Sequence, residues 1–168
     1  EENLLCFEGD PYSTENILVH EFAHAIHEMG LKTTDPSFDG RLQRVYWEAL
    51  EEGLWEGAYA ATNHMEYWAE VVQSWFDTNR ENDSQHNHID TRAELIEYDP
   101  ALAALCKEVS GETELKYTKP TTRLHGHLEG YDPTTAPTFK WPERLKKTQA
   151  EIRRKALERG KKAREKKK

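Results

Sequence analysis

The sequence predicts a mostly helical α+β domain, and three observations carry that expectation. Apolar side chains recur at helical spacing over three long stretches, each preceded by a residue able to cap a helix. Two short segments, residues 3–7 and 114–117, have the character of strands. A chain of 168 residues, 36% of them hydrophobic, suffices for one core of ordinary size. No apolar run approaches the roughly 18 to 20 residues that a membrane-spanning helix needs.

Asn3-Leu4-Leu5-Cys6-Phe7 is expected as the first strand, ended by a turn at Gly9-Asp10-Pro11. A helix follows, capped by Ser13 or Thr14. Its apolar positions are Ile17, Leu18, Phe22, Ala25, Ile26 and Met29, and Gly30 is placed to stop it. Asp35-Pro36 reads as cap and first residue of a second helix, striped by Phe38, Leu42, Val45, Tyr46, Ala49 and Leu50 until Gly53. After a linker, Asn63 caps a third helix running through Met65, Trp68, Ala69, Val72 and Phe76. Residues 78–91 hold one aliphatic side chain, Ile89, and read as an exposed loop. Helix is expected again over Arg92–Glu97 and from Asp99-Pro100, with Leu102, Leu105 and Val109 buried. Beyond the second strand, coil rich in Pro and Gly reaches Pro142.

The net charge of −8 conceals a division. Residues 140–168 carry 14 Lys and Arg against 4 Glu, a local charge of +10, whereas residues 1–139 carry −18. The expected organisation is therefore an acidic domain, 1–139, and a basic tail, 140–168, that is helical or disordered. An acidic body argues against nucleic acid as a partner, because phosphate neutralisation needs clustered Lys and Arg on the folded surface. The start, Glu1-Glu2-Asn3, is neither a Met nor a basic signal-peptide start, which suggests a fragment or a processed chain. Cys6 and Cys106 form no Cys-x-x-Cys pattern, so they are either two buried thiols or one long-range disulfide. Such a bridge would contribute roughly 4 kcal/mol.

Chemistry concentrates in His20-Glu21-Phe22-Ala23-His24 on the first helix. Residues four apart on a helix share a face, so both imidazoles can reach one zinc ion. Glu21 stands beside them, placed to take a proton from water and deliver it to a leaving amine. A catalytic zinc takes a third protein ligand, and the helix after Asn63 offers Glu66 and Glu70, again four apart. One would bind the metal while the other accepts a hydrogen bond from the remote nitrogen of a ligating histidine. The bland alternative is that these are polar faces of amphipathic helices. Of the other histidines, His27 and His64 are candidates for the substrate side. His86, His88, His125 and His127 are weak metal candidates, without acidic or Cys partners at ligand spacing.

Residues 14–30 (TENILVHEFAHAIHEMG) and 59–70 (YAATNHMEYWAE) resemble the two active-site helices of gluzincin metallopeptidases, most closely the catalytic domains of the anthrax lethal factor type. The resemblance covers about 60 residues, Thr14 to Phe76. It implies a zincin-like domain with one zinc per chain held between two helices by His20, His24 and Glu66. It further implies Glu21 as general base, Tyr59 as the hydroxyl that stabilises the oxyanion, and Glu70 as an outer partner. Zincins bind substrate along a sheet that precedes the zinc helix, and with 19 residues before His20 that sheet is expected to be largely missing.

The expected function is zinc-dependent hydrolysis of peptide bonds in a peptide or protein substrate, by a secreted monomer. Two rivals stand beside it. One is a catalytically silent zinc-binding module for protein interaction, against which Glu21 speaks, because a structural zinc site needs no general base. The other is an aspartate-type zincin using Asp35 or Asp39 as third ligand.

Overall fold

The computed structural model describes residues 3–5, 7–115, 129–148, 151 and 154. Five helices make up most of it: α1 (Ile17–Ala25), α2 (Phe38–Glu51), α3 (His64–Trp75), α4 (Arg92–Tyr98) and α5 (Pro100–Ser110). No strand forms among the described residues. The first expected strand is replaced by turns, because Asn3 folds inward instead of pairing along an edge. Its amide donates to Asp10 Oδ2 and to the carbonyls of Tyr12 and Glu15, and its Oδ1 accepts from Ile17 N. Residues 114–115, in the second expected strand, are coil, and 116–117 lie outside the described residues.

α3 is the axis of the packing. Every residue from Tyr67 to Trp75 is buried, as expected of a helix surrounded on all sides. α1, α2, α4 and α5 pack on it, together with a 3-10 turn at Tyr59–Thr62. Aromatic edges fill the seams: Phe38 meets Trp68 at 5.2 Å between centroids, and Tyr46 meets Tyr67 at 5.4 Å. On the far side, buried Asp99 caps α5 through Leu102 N and also accepts from Trp55 Nε1 and Tyr67 Oη.

Several boundaries follow the caps expected of them. Asn63 Oδ1 accepts from Met65 N and Glu66 N, fixing the first turn of α3. α4 starts at Arg92 as expected, on a cap that was not expected: Thr91, read as the end of the loop, forms a reciprocal capping box with Glu94. α2 ends with Gly53 at φ +81°, where Gly53 N donates to Leu50 O and Leu54 N to Ala49 O, the Schellman pattern.

α1 departs from expectation at both ends. Asn16, not Ser13 or Thr14, is the cap, accepting from Leu18 N. Gly30 does not stop the helix: it keeps out of the positive-φ region, and the chain continues through a π-helical turn, Ile26–Leu31, into Lys32–Thr34. The change of winding begins at Ile26, whose backbone N–H donates to the Phe22 and Ala23 carbonyls; the Ala23 carbonyl also accepts the indole N–H of Trp68 at 3.1 Å.

The segment 131–142 returns to the N-terminal turns. Phe139 N donates to Glu8 O at 2.7 Å, and a Cβ on Gly9, at φ +81°, would stand 2.9 Å from Phe139 O. Residues 143–148 are helical, and nearly all of the basic tail beyond them lies outside the described residues. Cys106 is buried and its thiol is pushed up by burial; Cys6, the other half of the possible bridge, lies outside the described residues. Among the described residues no helix is long and apolar enough to cross a membrane.

Candidate metal centre

α1 and α3 lie side by side, and their facing sides bring His20, His24 and Glu66 together. His20 Nε2 lies 3.2 Å from His24 Nε2 and 3.2 Å from Glu66 Oε2, and His24 Nε2 lies 3.3 Å from the same oxygen. These three donor atoms form a nearly equilateral triangle. An ion bound tetrahedrally at about 2.0–2.1 Å holds neighbouring donors about 3.3–3.4 Å apart, so the triangle has the edge of a coordination tetrahedron. The side chains of His24 and Glu66 are 24% and 20% exposed, which leaves one side of the group open to solvent. Two imidazoles and one carboxylate with an open side therefore fit a metal ion.

The remote nitrogen of His20 is engaged twice. Nδ1 donates to Gln73 Oε1 at 2.9 Å, with Glu70 Oε1 at 3.3 Å. In the neutral ring this puts the Nε2 lone pair toward the triangle, the tautomer a ligand needs. Gln73, fully buried, is itself fixed by donating from Nε2 to Glu15 Oε2 and the Asn16 carbonyl. Glu70 Oε2 in turn lies 3.1 Å from His86 Nε2.

Charge follows from these contacts. Burial pulls the His20 imidazolium down, but hydrogen bonds to Glu66 and Glu70 outweigh it and lift the ring to about 10. Burial would raise Glu66, yet His20 and His24 hold it at about 2; Glu70 is held at about 2 by His20 and His86 against the same burial penalty. Without an ion, then, a proton on His20 bridges the carboxylates, and a metal must displace it. Burial and the charges of Glu66 and Glu70 push Tyr59 up to about 12, so its hydroxyl is a donor at neutral pH.

Beside the triangle is a cavity of about 400 Å³. Of the three donors His20 lines it, together with Glu21, Tyr59, Tyr12, Arg80 and Trp141. Glu21 is exposed into it from α1. The six residues named from the two motifs thus converge: three donors, Glu21, Tyr59 and Glu70.

The expected substrate-side histidines do not join them. His27, on the π turn, is fully buried, and its Nε2 donates to Asp39 Oδ1 at 2.9 Å. Burial lowers its pKa against the pull of Asp39, which keeps the ring neutral. His64 approaches the same carboxylate oxygen at 3.3 Å. Asp39 is engaged by this pair and Asp35 by Arg41, and neither joins the group formed by His20, His24 and Glu66. His88 is exposed and edges onto Tyr98, while His125 and His127 lie outside the described residues.

Sequence reasoning missed Gln73, Arg80 and Trp141, and named His86 only as a weak metal candidate, not as the partner of Glu70. Gln73 had a signal, being one helical turn beyond Glu70 on the same face. Trp141 and His86 had none, since each arrives from a segment without periodicity. No protein-family model, characterised protein or solved structure matches this chain.

Proposed function

We propose that this chain is a zinc-dependent metallopeptidase of the gluzincin kind, with His20, His24 and Glu66 as zinc ligands. The observation that carries the reading is the triangle of three donors, one of which, His20, lines a cavity together with the exposed Glu21 and with Tyr59. The donor set of two imidazoles and a carboxylate is that of hydrolytic zinc sites. A zinc ion bound there would polarise a peptide carbonyl and make water acidic near neutral pH.

The chain's own residues supply the remaining chemistry. Glu21, open to the cavity, takes a proton from the attacking water and returns it to the departing amine nitrogen. Tyr59, held protonated by its carboxylate neighbours, donates to the oxygen that gains charge as the carbonyl is attacked. Glu66 and Glu70 stay ionised throughout. Gln73 and Glu70 keep His20 turned with Nε2 toward the donor triangle.

Casein hydrolysis tests the assignment. Zinc-loaded wild type is expected to cleave and to stop on chelation. Glu21→Gln should retain zinc yet lose about 10²- to 10⁴-fold in kcat/KM, the usual size of a general acid–base contribution. Cleavage unchanged in Glu21→Gln, or surviving metal removal, rules the assignment out; zinc without any cleavage leaves a zinc-binding module.

A further inference from the structure

The stretch 79–86, expected as exposed loop, touches the metal centre along several arms. Asn79 Nδ2 donates to the Glu70 backbone carbonyl and to Ser74 Oγ, both at 3.1 Å. Arg80 Nε stands 3.1 Å from Glu15 Oε1, and the other oxygen of Glu15 holds Gln73, which holds His20. The Gln85 carbonyl accepts the backbone N–H of Tyr59 at 2.6 Å. His86 completes the set, with Nε2 3.1 Å from Glu70 Oε2 and Nδ1 2.8 Å from Asp83 Oδ1.

The His86 contact is built rather than incidental. Its side chain is 6% exposed, and the carboxylate oxygen that orients Nδ1 also accepts the backbone N–H groups of Gln85 and His86. One aspartate thus closes the turn and aims the ring. With both nitrogens on carboxylates, His86 is occupied as a clamp and has no atom free to act on substrate. Glu70, almost fully buried, then has one oxygen toward His20 and the other on His86. Removal of His86 would leave Oε2 with Asn79 Nδ2 at 3.4 Å, a poor partner for a buried charge.

We propose that residues 79–86 form a positioning strap of the metal centre, in which His86 holds the Glu70 carboxylate against His20 and the adjoining Gln85 carbonyl holds Tyr59 at the cavity. His86 is a positioning residue: it acts on the ligand His20 only through Glu70. The role of Tyr59 in this inference rests on the metallopeptidase reading, and that of Glu70 on the metal centre alone. Burial pulls the His86 imidazolium down and the Glu70 hydrogen bond outweighs it, in keeping with a charged clamp.

The test is zinc affinity of the full chain, measured by competition with a chromogenic chelator, for wild type, His86→Ala, His86→Gln and His88→Ala. Loss of an outer partner of a metal ligand weakens binding about 10- to 100-fold, and that is the change expected in His86→Ala. His86→Gln, whose amide can still donate to Glu70, should recover most of it. His88→Ala, in the same segment but turned to Tyr98, should bind as wild type does. At saturating zinc, His86→Ala should lose kcat with KM little changed. Wild-type affinity in His86→Ala overturns the strap, and so does an equal loss in His88→Ala, which would mean general loosening. If His86→Ala does not fold, Asp83→Asn takes its place, with several-fold weaker binding expected and wild-type affinity overturning the proposal. A wild type that binds no zinc contradicts the metal centre and the strap with it. Zinc binding without hydrolysis removes the peptidase reading alone.

Discussion

Asp99 and Glu70 are both buried carboxylates packed around α3, and they are satisfied in opposite ways. Asp99 takes an indole N–H, a phenol O–H and the backbone N–H of Leu102. Its partners are protein donors that do not titrate near neutral pH, and the cluster ends with them. Glu70 takes two imidazoles, each already tied to another group, and one of them leads on to three donor atoms aimed at one another. The first cluster is a finished structural hub. The second is organised around a positive charge, supplied by a proton on His20 when no metal is bound.

The largest effect that would break this contrast is Glu66→Ala. Loss of a direct ligand should weaken zinc binding at least about 100-fold, beyond the range of outer partners, as read by chelator competition. Asp99→Ala should do the reverse. It orphans three buried donors at about 1 kcal/mol each, so urea unfolding should show about 3 kcal/mol of destabilisation with zinc affinity unchanged. If Asp99→Ala also weakens zinc, the two clusters are one.

Acid and base separate them further. Glu66 and Glu70 are held at about 2, below the usual 4.5, so their contribution to stability is complete above 4.5 and lost as pH falls toward 2. His20 is raised from 6.5 to about 10, so its contribution is complete below 6.5 and lost as pH rises through 10. Urea midpoints of the metal-free protein should therefore be highest between about pH 4.5 and 6.5. Zinc affinity should move the other way at the alkaline end, rising about tenfold per pH unit below 10 as the His20 proton is released. Flat affinity over pH 6–9 would mean that His20 is already neutral.

The smallest expected change is Asn63→Ala, which removes the cap of the helix carrying Glu66. It should cost about 1 kcal/mol of stability and a few-fold in zinc affinity.

Much of this was legible because it is local. Asn63, Asp99-Pro100 and Gly53 each determine a boundary through hydrogen bonds within a few residues, and the spacing of His20, His24, Glu66 and Glu70 follows from helical geometry alone. What was not legible depends on distant partners. Gly30 looked like a stop, but the π turn carries the chain past it and delivers His27 to Asp39. Asn3 looked like strand and is a polar staple, because its acceptors are displayed by the turns before α1. Residues 78–91 looked solvated by composition, yet Thr78, Asn79 and Ile89 are buried and His86 reaches Glu70. Polar residues whose partners lie far along the chain leave no periodic mark.

The most direct test of the central claim is the zinc content of purified wild type and Glu66→Ala by elemental analysis. One zinc per wild-type chain and none in the mutant is the result expected from a centre built on His20, His24 and Glu66. A wild type that takes up no zinc, or a Glu66→Ala variant that keeps it, would contradict the account.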